Sequence, residues 1–261
     1  FMNYGKKGIR AKQKALNSKS QKWGRKLALT CVKIMLAAVV GIGICGVAAG
    51  IGAFRGILSS TPTIRLSDVV AVGEATIVYD KEGNEIDQYV STNSNRLSVG
   101  MDEIPDYLGK AFVAIEDQRF YQHNGIDVKG ILRAGYQFLK TGGEEAQGAS
   151  TITQQLLKNT VFTDWTSEGN NKIKKIKRKI QEQYLALEIT KYYSKDEILL
   201  RYMNAINLGQ NTLGVESASL RYFGKHCSDL TISECAVIAS ITQNPCLLYT
   251  SPSPRDLSTS R

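Results

Sequence analysis

The feature that most constrains this chain is a run of 21 residues, 34–54, that contains no charged side chain. At a rise of about 1.5 Å per residue, a helix of this length crosses a hydrocarbon core of about 30 Å. A buried helix of a soluble protein is one alternative, and a cleaved signal peptide is another, although the apolar part of a signal peptide normally has only about 7–15 residues. The run therefore predicts one transmembrane helix over 34–54.

Charges are distributed very unevenly around this run. Residues 1–67 hold twelve Lys and Arg and no acidic residue, and the chain as a whole has a formal net charge of +9, so 68–261 is slightly acidic. Because basic flanks stay on the cytoplasmic side, we expect 1–33 to be a cytoplasmic tail beside anionic headgroups and the chain after Arg55 to lie outside the cytoplasm. A basic arm can also bind nucleic acid, but this excess is confined to the membrane side, so we expect no nucleic-acid partner.

Beyond the membrane, the pattern predicts a connector over 55–75, rich in Ser, Thr and Pro, and then a mainly α domain over 76–245. Apolar and β-branched runs at 76–79 and 86–90 surround Asp-Lys-Glu-Gly-Asn, which indicates a small β-hairpin at the start of the domain. From Ile104 the apolar residues recur with a helical period. Further helices are predicted over 128–140, 151–162, 172–192, 195–205, 214–223 and 231–242.

Cysteine and histidine are too sparse for a metal centre. The chain has five Cys and two His, and no Cys-x-x-Cys pair occurs. A Cys/His metal site is therefore not expected, and a disulfide-dense scaffold is excluded. Of the motifs typical of a penicillin-binding transpeptidase site, Ser-x-x-Lys and Ser-Asp-Asn do not occur in these residues, and a lone Lys-Thr-Gly stands at 140–142 without them.

A first conspicuous stretch is Glu-Asp-Gln-Arg-Phe-Tyr-Gln-His-Asn-Gly at 116–125. Glu116 falls at the end of an apolar helical run, where a carboxylate is partly desolvated and becomes a better general base. An Asp/Glu pair at a helix end is, however, more often simply solvated. The stretch alone does not establish a catalytic site.

A second stretch is Gly-Ala-Ser-Thr-Ile-Thr-Gln-Gln-Leu-Leu-Lys-Asn at 148–159. Ser150 is predicted to cap the following helix, which would leave the first backbone N–H groups facing outward. Gln154 and Lys158 are four residues apart and would share one helix face, a plausible cradle for a sugar phosphate. The alternative is an ordinary capped amphipathic helix.

In this order, the two stretches resemble the first two motifs of the family 51 glycosyltransferases, the peptidoglycan polymerase domains of class A penicillin-binding proteins and their monofunctional relatives. Arg-Lys-Ile-Gln-Glu at 178–182 is similar to the third motif of that family. The segment 195–204 resembles the fourth motif, and Arg-Tyr-Phe-Gly-Lys at 221–225 resembles the block after it. The resemblance covers about 74–245, and five motifs in register are far more specific than any one of them.

The resemblance implies a lysozyme-like helical fold that acts on lipid II. It implies an inverting transfer that forms β-1,4 linkages and releases the lipid pyrophosphate, with Glu116 as general base and Glu182 as a second carboxylate near the pyrophosphate. A divalent cation such as Mg²⁺ or Mn²⁺ at the pyrophosphate is left open, and no cofactor is required. Expected partners are lipid II, the growing glycan strand, the bilayer and the cell-wall synthesis machinery. The candidate substrate-binding residues are Asp117, Phe120, His123, Ser150, Thr151, Gln154, Lys158, Lys174, Arg178 and Lys179.

Two basic residues of the third motif have a physical reason to be there. A pyrophosphate is already a good leaving group and needs neutralisation of charge more than it needs a proton, which Arg178 and Lys179 can supply. Lys174, Arg178 and Glu182 are predicted to lie along one helix face. The alternative is that this basic run is a solvated or membrane-facing surface.

The stretch 126–140 has more apolar residues than a small core helix needs. For a membrane-tethered domain it is interpreted either as a segment that dips into the headgroup layer or as core packing.

Three segments depart from the family pattern. The spacing from Glu116 to Glu182 indicates an inserted loop over 163–171, which leaves Lys174 as the candidate phosphate-binding residue between the second and third motifs. Leu200 stands where the family usually has Glu, and we expect only a packing consequence. Residues 246–261 do not continue the pattern and are interpreted as a non-native tail of a fragment.

Two other functions are compatible with these residues. Two carboxylates on a lysozyme-like fold also describe a glycan hydrolase, although a hydrolase has no need for basic residues beside both acids. A non-catalytic membrane scaffold that keeps the fold is the second alternative, and the presence of Glu116, Glu182 and Lys158 argues against it.

Overall fold

A computed structural model describes residues 5–16, 19–70, 73–89, 95–142, 148–163, 169, 171–210 and 212–243 of the 261. The predicted tail over 246–261 and most of the predicted inserted loop over 163–171 lie outside these ranges. The chain divides into two compact units, Phe1–Ser60 and Thr61–Arg261.

The first unit consists of helix α1, Lys6–Leu16, and the long helix α2, Lys19–Ser59. Within α2, the segment Trp23–Ser59 is long and apolar enough to cross a membrane, and its apolar side chains are exposed. The helix is longer than the predicted 34–54 at both ends. It runs through the first part of the predicted connector, because Gly, Ile and Leu at 56–58 continue the helical pattern.

The second unit begins with the rest of the predicted connector and a hairpin. Residues Leu66–Val69 form a 3₁₀ turn whose Val69 is fully buried in the core, so this part of 55–75 packs against the domain. Strands β1, Thr76–Tyr79, and β2, Glu85–Tyr89, pair antiparallel with Thr76 opposite Tyr89. The Asp80 carboxylate accepts hydrogen bonds from the backbone N–H groups of Glu82 and Asn84, which closes the turn.

The remainder of the second unit is helical. The predicted class, mainly α with a small hairpin ahead of a lysozyme-like helical domain, is confirmed. The helices are α3 Asp106–Glu116, α4 Val128–Thr141, α5 Ile152–Thr160, α6 Lys172–Ile189, α7 Lys195–Ala205, α8 Val215–Phe223 and α9 Ile232–Ser240.

Capping residues explain where several of these helices begin. Ser194 accepts a hydrogen bond from the Glu197 backbone N–H while the Glu197 carboxylate accepts from Ser194, and Thr231 and Glu234 form the same capping box at α9. The predicted ranges 151–162, 214–223 and 231–242 therefore begin one residue early, on the cap. At the other end, α8 stops at Gly224, which has a left-handed backbone conformation.

The core lies where α5 packs between α6 and α7 and where α3 packs against α9. The Phe112 and Tyr202 rings meet edge to face with centroids 5.7 Å apart, and both side chains are fully buried. Leu200 packs at the edge of this core, which is the local packing role expected from its place in the fourth motif. The Asn204 side chain binds both backbone polar groups of Val99, so it holds the segment before α3 in place.

Candidate active site

A cavity of about 720 Å³ lies between the end of α3, the first half of α4, α5 and the middle of α6, with Gln243 at its edge. Its walls contain more basic than acidic side chains. The acidic ones are Glu116, Asp117, Asp127 and Glu182, and the basic ones are Arg119, Arg133, Lys158, Arg178 and Lys179. The first three family motifs, which are far apart in the sequence, therefore meet at one cavity.

Glu116 is held by neutral hydrogen-bond donors from two distant segments. The Gln155 amide on α5 donates to Oε2 at 2.6 Å, and the Gln243 amide donates to Oε1 at 3.1 Å. The Thr242 hydroxyl, which follows α9, also donates to Oε1. Behind Gln155, the hydroxyl of the fully buried Tyr202 lies 3.4 Å from its Oε1, so the donating end of the amide faces Glu116. Glu116 can accept a further proton from a group in the cavity only along the directions that these donors leave open.

Glu182 is held instead by two cations on its own helix. Its side chain is only 1% exposed, and it forms ion pairs with Arg178, one turn before it, and with Lys179 at 3.0 Å. Lys179 also donates a hydrogen bond to the Ser150 hydroxyl at 2.7 Å, which links α6 to the start of α5. This arrangement fixes a guanidinium and an ammonium group at the cavity wall, where they supply positive charge.

Asp117 lies in the wall but is occupied by structural contacts. Its carboxylate accepts from His123 Nε2 at 2.9 Å and from the Ile152 backbone N–H at 3.1 Å, so it joins the loop after α3 to the start of α5. His123 and the fully buried Phe120 lie behind the wall and do not line the cavity. The Lys195 ammonium group lies 4.3 Å from the Phe120 ring centre, and its burial lowers the pKa of Lys195.

Thr151, and not Ser150, is the N-cap of α5. The Thr151 hydroxyl accepts from the Gln154 backbone N–H at 3.2 Å and donates to the Gly125 carbonyl at 2.7 Å. Gly125 has a φ of +87°, and a Cβ atom there would collide with the Ala186 carbonyl oxygen of α6. The cap therefore joins the second motif to the end of the first, which packs closely on α6, while Ser150 is left to face Lys179.

The remaining candidates divide between the cavity and the surface. Gln154 and Lys158 both line the cavity, and the nearly fully buried amide of Gln154 has no hydrogen-bond partner among the described residues. An unpaired amide at a cavity wall can bind a polar ligand, since a buried amide without a partner is destabilising. Lys174 lies exposed on α6 and does not belong to the cavity wall.

Several residues that the motifs did not indicate also build the site. Arg119 donates to Asp127, which caps α4 through the Gly130 N–H, and these bonds hold the pKa of the Asp127 carboxyl below its usual range. An Asp just before an apolar helical run is a recognisable N-cap signal, so Asp127 could have been found. Gln155 stands within the second motif, which could have indicated it. Thr242 has no sequence signal, because only tertiary packing brings it to Glu116.

Chemically, the cavity offers one carboxylate held by neutral donors and a second that orients two cations. The first can receive a proton from a hydroxyl, and the cations can neutralise a polyanionic group such as a phosphate. Among the described residues, no group of three or more His, Cys, Asp and Glu side chains is placed to hold a metal ion.

Comparisons with known proteins show the family to which this chain belongs. The family model described as Transglycosylase matches residues 82–261, which is more than half of the chain and includes the segment 246–261 that the motif comparison set apart. Penicillin-binding protein 1A of Clostridium perfringens (strain 13 / Type A) is 44% identical over 192 residues, 72% of this chain and 27% of that protein. Penicillin-binding protein 1A of Clostridium botulinum (strain Langeland) is 41% identical over 229 residues, 86% of this chain and 26% of that protein.

Penicillin-binding protein 1F of Bacillus subtilis (strain 168) is 40% identical over 168 residues, 64% of this chain and 22% of that protein. The chain thus spans between 22% and 27% of the length of these curated relatives. The match confirms the resemblance that the five motifs indicated, and the chain belongs to the transglycosylase family, that of the family 51 glycosyltransferases.

Proposed function

We propose that this chain is a membrane-anchored peptidoglycan glycosyltransferase that polymerises lipid II into β-1,4-linked glycan strands and releases the lipid pyrophosphate with inversion. The observation that carries the proposal is the cavity itself, where Glu116 and Glu182 line the same wall as Lys158, Arg178 and Lys179. The match to the Transglycosylase family and to proteins named penicillin-binding protein supports this substrate class.

In this mechanism Glu116 is the general base. It takes the proton from the 4-hydroxyl of the incoming lipid II as that oxygen forms a bond to the anomeric carbon of the growing strand. Its three neutral donors, Gln155, Thr242 and Gln243, stabilise the carboxylate and fix its direction without neutralising its charge. Attack on the face opposite to the leaving group inverts the anomeric centre.

The leaving pyrophosphate is stabilised by the cations of α6 together with Lys158. Glu182 presents Arg178 and Lys179 to the cavity, and their positive charges attract the phosphate oxygens as negative charge develops there. Ser150 restrains Lys179 from the other side. Gln154 supplies an amide for a sugar or peptide group of the substrate.

A divalent cation at the pyrophosphate stays a proposal, and it would find no complete set of free carboxylate ligands among the described residues. The described residues do not fit a preassembled metal site, because both Glu182 oxygens are engaged by cations and the Asp117 carboxylate is engaged by His123 and the Ile152 N–H. We therefore route no step through Mg²⁺ or Mn²⁺.

The proposed location is the bacterial cell membrane, with a single pass through α2, the basic residues 1–33 in the cytoplasm and the catalytic domain outside. The uncharged run and its basic N-terminal flank support this orientation. Helix α4 supports contact with lipid, since it exposes apolar side chains, Val128, Leu132, Tyr136 and Leu139. Association with the cell-wall synthesis machinery and continuation into a transpeptidase domain are further proposals.

The test is polymerisation of labelled lipid II by the full chain in liposomes, resolved by gel. The variant Glu116→Gln keeps the size of the side chain but removes the base, and it replaces one of the two acceptor oxygens by an amide donor. The matched control is Glu188→Gln, which removes a carboxylate of α6 that forms an ion pair with Lys191 at 2.6 Å, away from the cavity wall. We expect a glycan ladder with released lipid pyrophosphate from the parent and from Glu188→Gln, and none from Glu116→Gln.

The alternatives predict different products. Cleavage of preformed glycan without consumption of lipid II would support a hydrolase. A folded parent that binds lipid II but forms no ladder would support a scaffold. A ladder from Glu116→Gln equal to that of the parent would show that Glu116 is not the base.

A further inference from the structure

The outer face of α6 carries an apolar stripe that the proposed chemistry does not use. We define the outer stripe as Ile173, Ile176, Ile180, Tyr184 and Leu187. These residues follow at intervals of three, four, four and three, which places them along one line of an α-helix. Ile173 is 79% exposed, Ile176 60%, Tyr184 40% and Leu187 41%.

The outer stripe lies opposite to the face by which α6 packs into the domain. The buried residues of the helix are Gln181, Glu182, Leu185, Ala186 and Ile189. At about 100° per residue, their mean direction points roughly 180° away from the outer stripe. A surface helix normally has one apolar face and one polar face, so a second apolar face over most of the helix length indicates an interaction surface.

The charges beside the outer stripe indicate what covers it. Four exposed lysines, Lys172, Lys174, Lys175 and Lys177, surround its first two turns, and α6 has no acidic residue before Glu182. A protein partner that covered only apolar side chains would leave this positive charge without a counterpart. An anionic bilayer surface complements both features, because lysine stems lie along apolar surface while their ammonium groups reach phosphate groups.

We propose that the outer stripe of α6 binds the surface of an anionic phospholipid bilayer. The isoleucines enter the boundary between headgroups and acyl chains, and the lysines bind headgroup phosphates. Arg178, Lys179 and Glu182 of the cavity wall lie on the other side of α6, so this contact holds the cavity within about one helix diameter of the headgroup layer. A lipid-linked pyrophosphate then has to rise by only about that distance to reach those cations.

The test uses the full chain in vesicles without lipid II. Trp23 and Trp165 are replaced by Phe, and a single tryptophan is introduced by Ile176→Trp. The matched control is Ile232→Trp, since Ile232 is an exposed isoleucine in the first turn of α9, at the opposite end of that helix from Gln243 in the cavity wall. Quenching by lipids brominated near the headgroup is compared in phosphatidylcholine vesicles and in vesicles that also contain phosphatidylglycerol.

We expect strong quenching of the tryptophan at position 176, increased by phosphatidylglycerol, and little quenching at position 232. Adding Lys172→Gln, Lys175→Gln and Lys177→Gln is expected to reduce the quenching at position 176 by about twofold or more in anionic vesicles. Equal quenching at the two positions would overturn the proposal. Protection from an aqueous quencher without quenching by lipid would also overturn it, in favour of a second copy of the chain on the stripe.

This inference rests on the proposed membrane anchoring but not on the proposed reaction. Flotation of the chain with the vesicles measures the anchor separately. A chain that floats and polymerises lipid II while position 176 is unquenched would refute only the stripe contact. A chain that does not float would refute the anchoring and the stripe contact together.

Discussion

Glu116 and Glu182 line the same cavity, yet their surroundings differ in kind. Glu116 accepts hydrogen bonds from Gln155, Thr242 and Gln243, which are neutral and come from segments distant in the sequence. Glu182 is nearly fully buried and forms ion pairs with Arg178 and Lys179 within one turn of the same helix. The tertiary fold brings the partners of Glu116 together, whereas the partners of Glu182 lie beside it because of their spacing along one helix.

This difference indicates a catalytic role for Glu116 and a supporting role for Glu182. Neutral donors orient Glu116 without supplying a charge that would compete for it, so its carboxylate is directed toward the cavity as a base. Glu182 has compensating positive charges at hydrogen-bond distance, and its removal would leave them at a wall without their partner. We therefore expect Glu116 variants to lose activity alone and Glu182 variants to lose both activity and stability.

The largest expected effect tests this separation directly. Glu116→Gln should lower polymerisation by about 10²- to 10⁴-fold, the usual contribution of a general base, with little change in the free energy of unfolding. Glu182→Gln should also lower activity and reduce the free energy of unfolding by about 3 kcal/mol, because it breaks a buried ion pair. Denaturant unfolding and lipid II polymerisation of the two variants, measured side by side, check this. Equal stability of the two variants would contradict the comparison.

The next effect distinguishes two adjacent hydroxyls at the start of α5. Thr151→Ala removes the N-cap and leaves the Gly125 carbonyl without its donor, so the free energy of unfolding should fall by about 2 kcal/mol. Ser150→Ala should leave stability within about 0.5 kcal/mol but raise the KM for lipid II, because the Ser150 hydroxyl bonds to Lys179 and does not cap the helix. If Ser150→Ala were the more destabilising variant, Ser150 would have a structural role that these contacts do not show.

Much of the site was predictable because its residues are spaced by helix periodicity. Gln154 and Lys158, and likewise Arg178 and Glu182, are four residues apart, and each pair lies in the cavity wall as that spacing indicates. The hairpin and the helical class were predictable for the same reason, since both depend on local patterns of apolar residues and turn residues.

The remaining features depend on contacts that no local pattern contains. Phe120 and His123 belong to an irregular segment, so their motif positions did not indicate that they lie behind the wall. The N-cap was placed one residue early because Ser150 and Thr151 are both good capping residues. Thr242 reaches Glu116 only because α9 packs against α3.

A smaller effect tests that long-range contact. Thr242→Val removes a hydroxyl donor from Glu116 while keeping the side-chain shape, and we expect polymerisation to fall about tenfold, the equivalent of about 1.4 kcal/mol. Thr242→Ser restores the hydroxyl and should restore most of the activity. Thr160→Val is a matched control, because the Thr160 hydroxyl donates to the Leu156 carbonyl within its own helix. A loss in Thr160→Val as large as that in Thr242→Val would show that the effect is not specific to Glu116.

A third carboxylate, Glu216, extends the comparison to an ion pair far from the cavity chemistry. Burial alone would raise the pKa of Glu216, but hydrogen bonds from the Cys227 backbone N–H and from His226 outweigh it and place the pKa below its usual range. In turn, the Glu216 carboxylate raises the pKa of His226. Unlike Arg178 beside Glu182, the His226 side chain is 72% exposed, so solvent screens the pair.

The smallest expected effect follows from the signs of these two shifts. The raised pKa of His226 contributes stability that is complete below about pH 6.5 and is lost as the pH rises through the folded-state pKa. The lowered pKa of Glu216 contributes stability that is present above about pH 4.5 and is lost as the pH falls through its folded-state value. The Tm difference between the parent and His226→Gln should therefore be largest near about pH 5.5, at roughly 1–2 °C, and should shrink toward about pH 8. A difference that is constant across this range would mean that His226 contributes through packing and not through its charge.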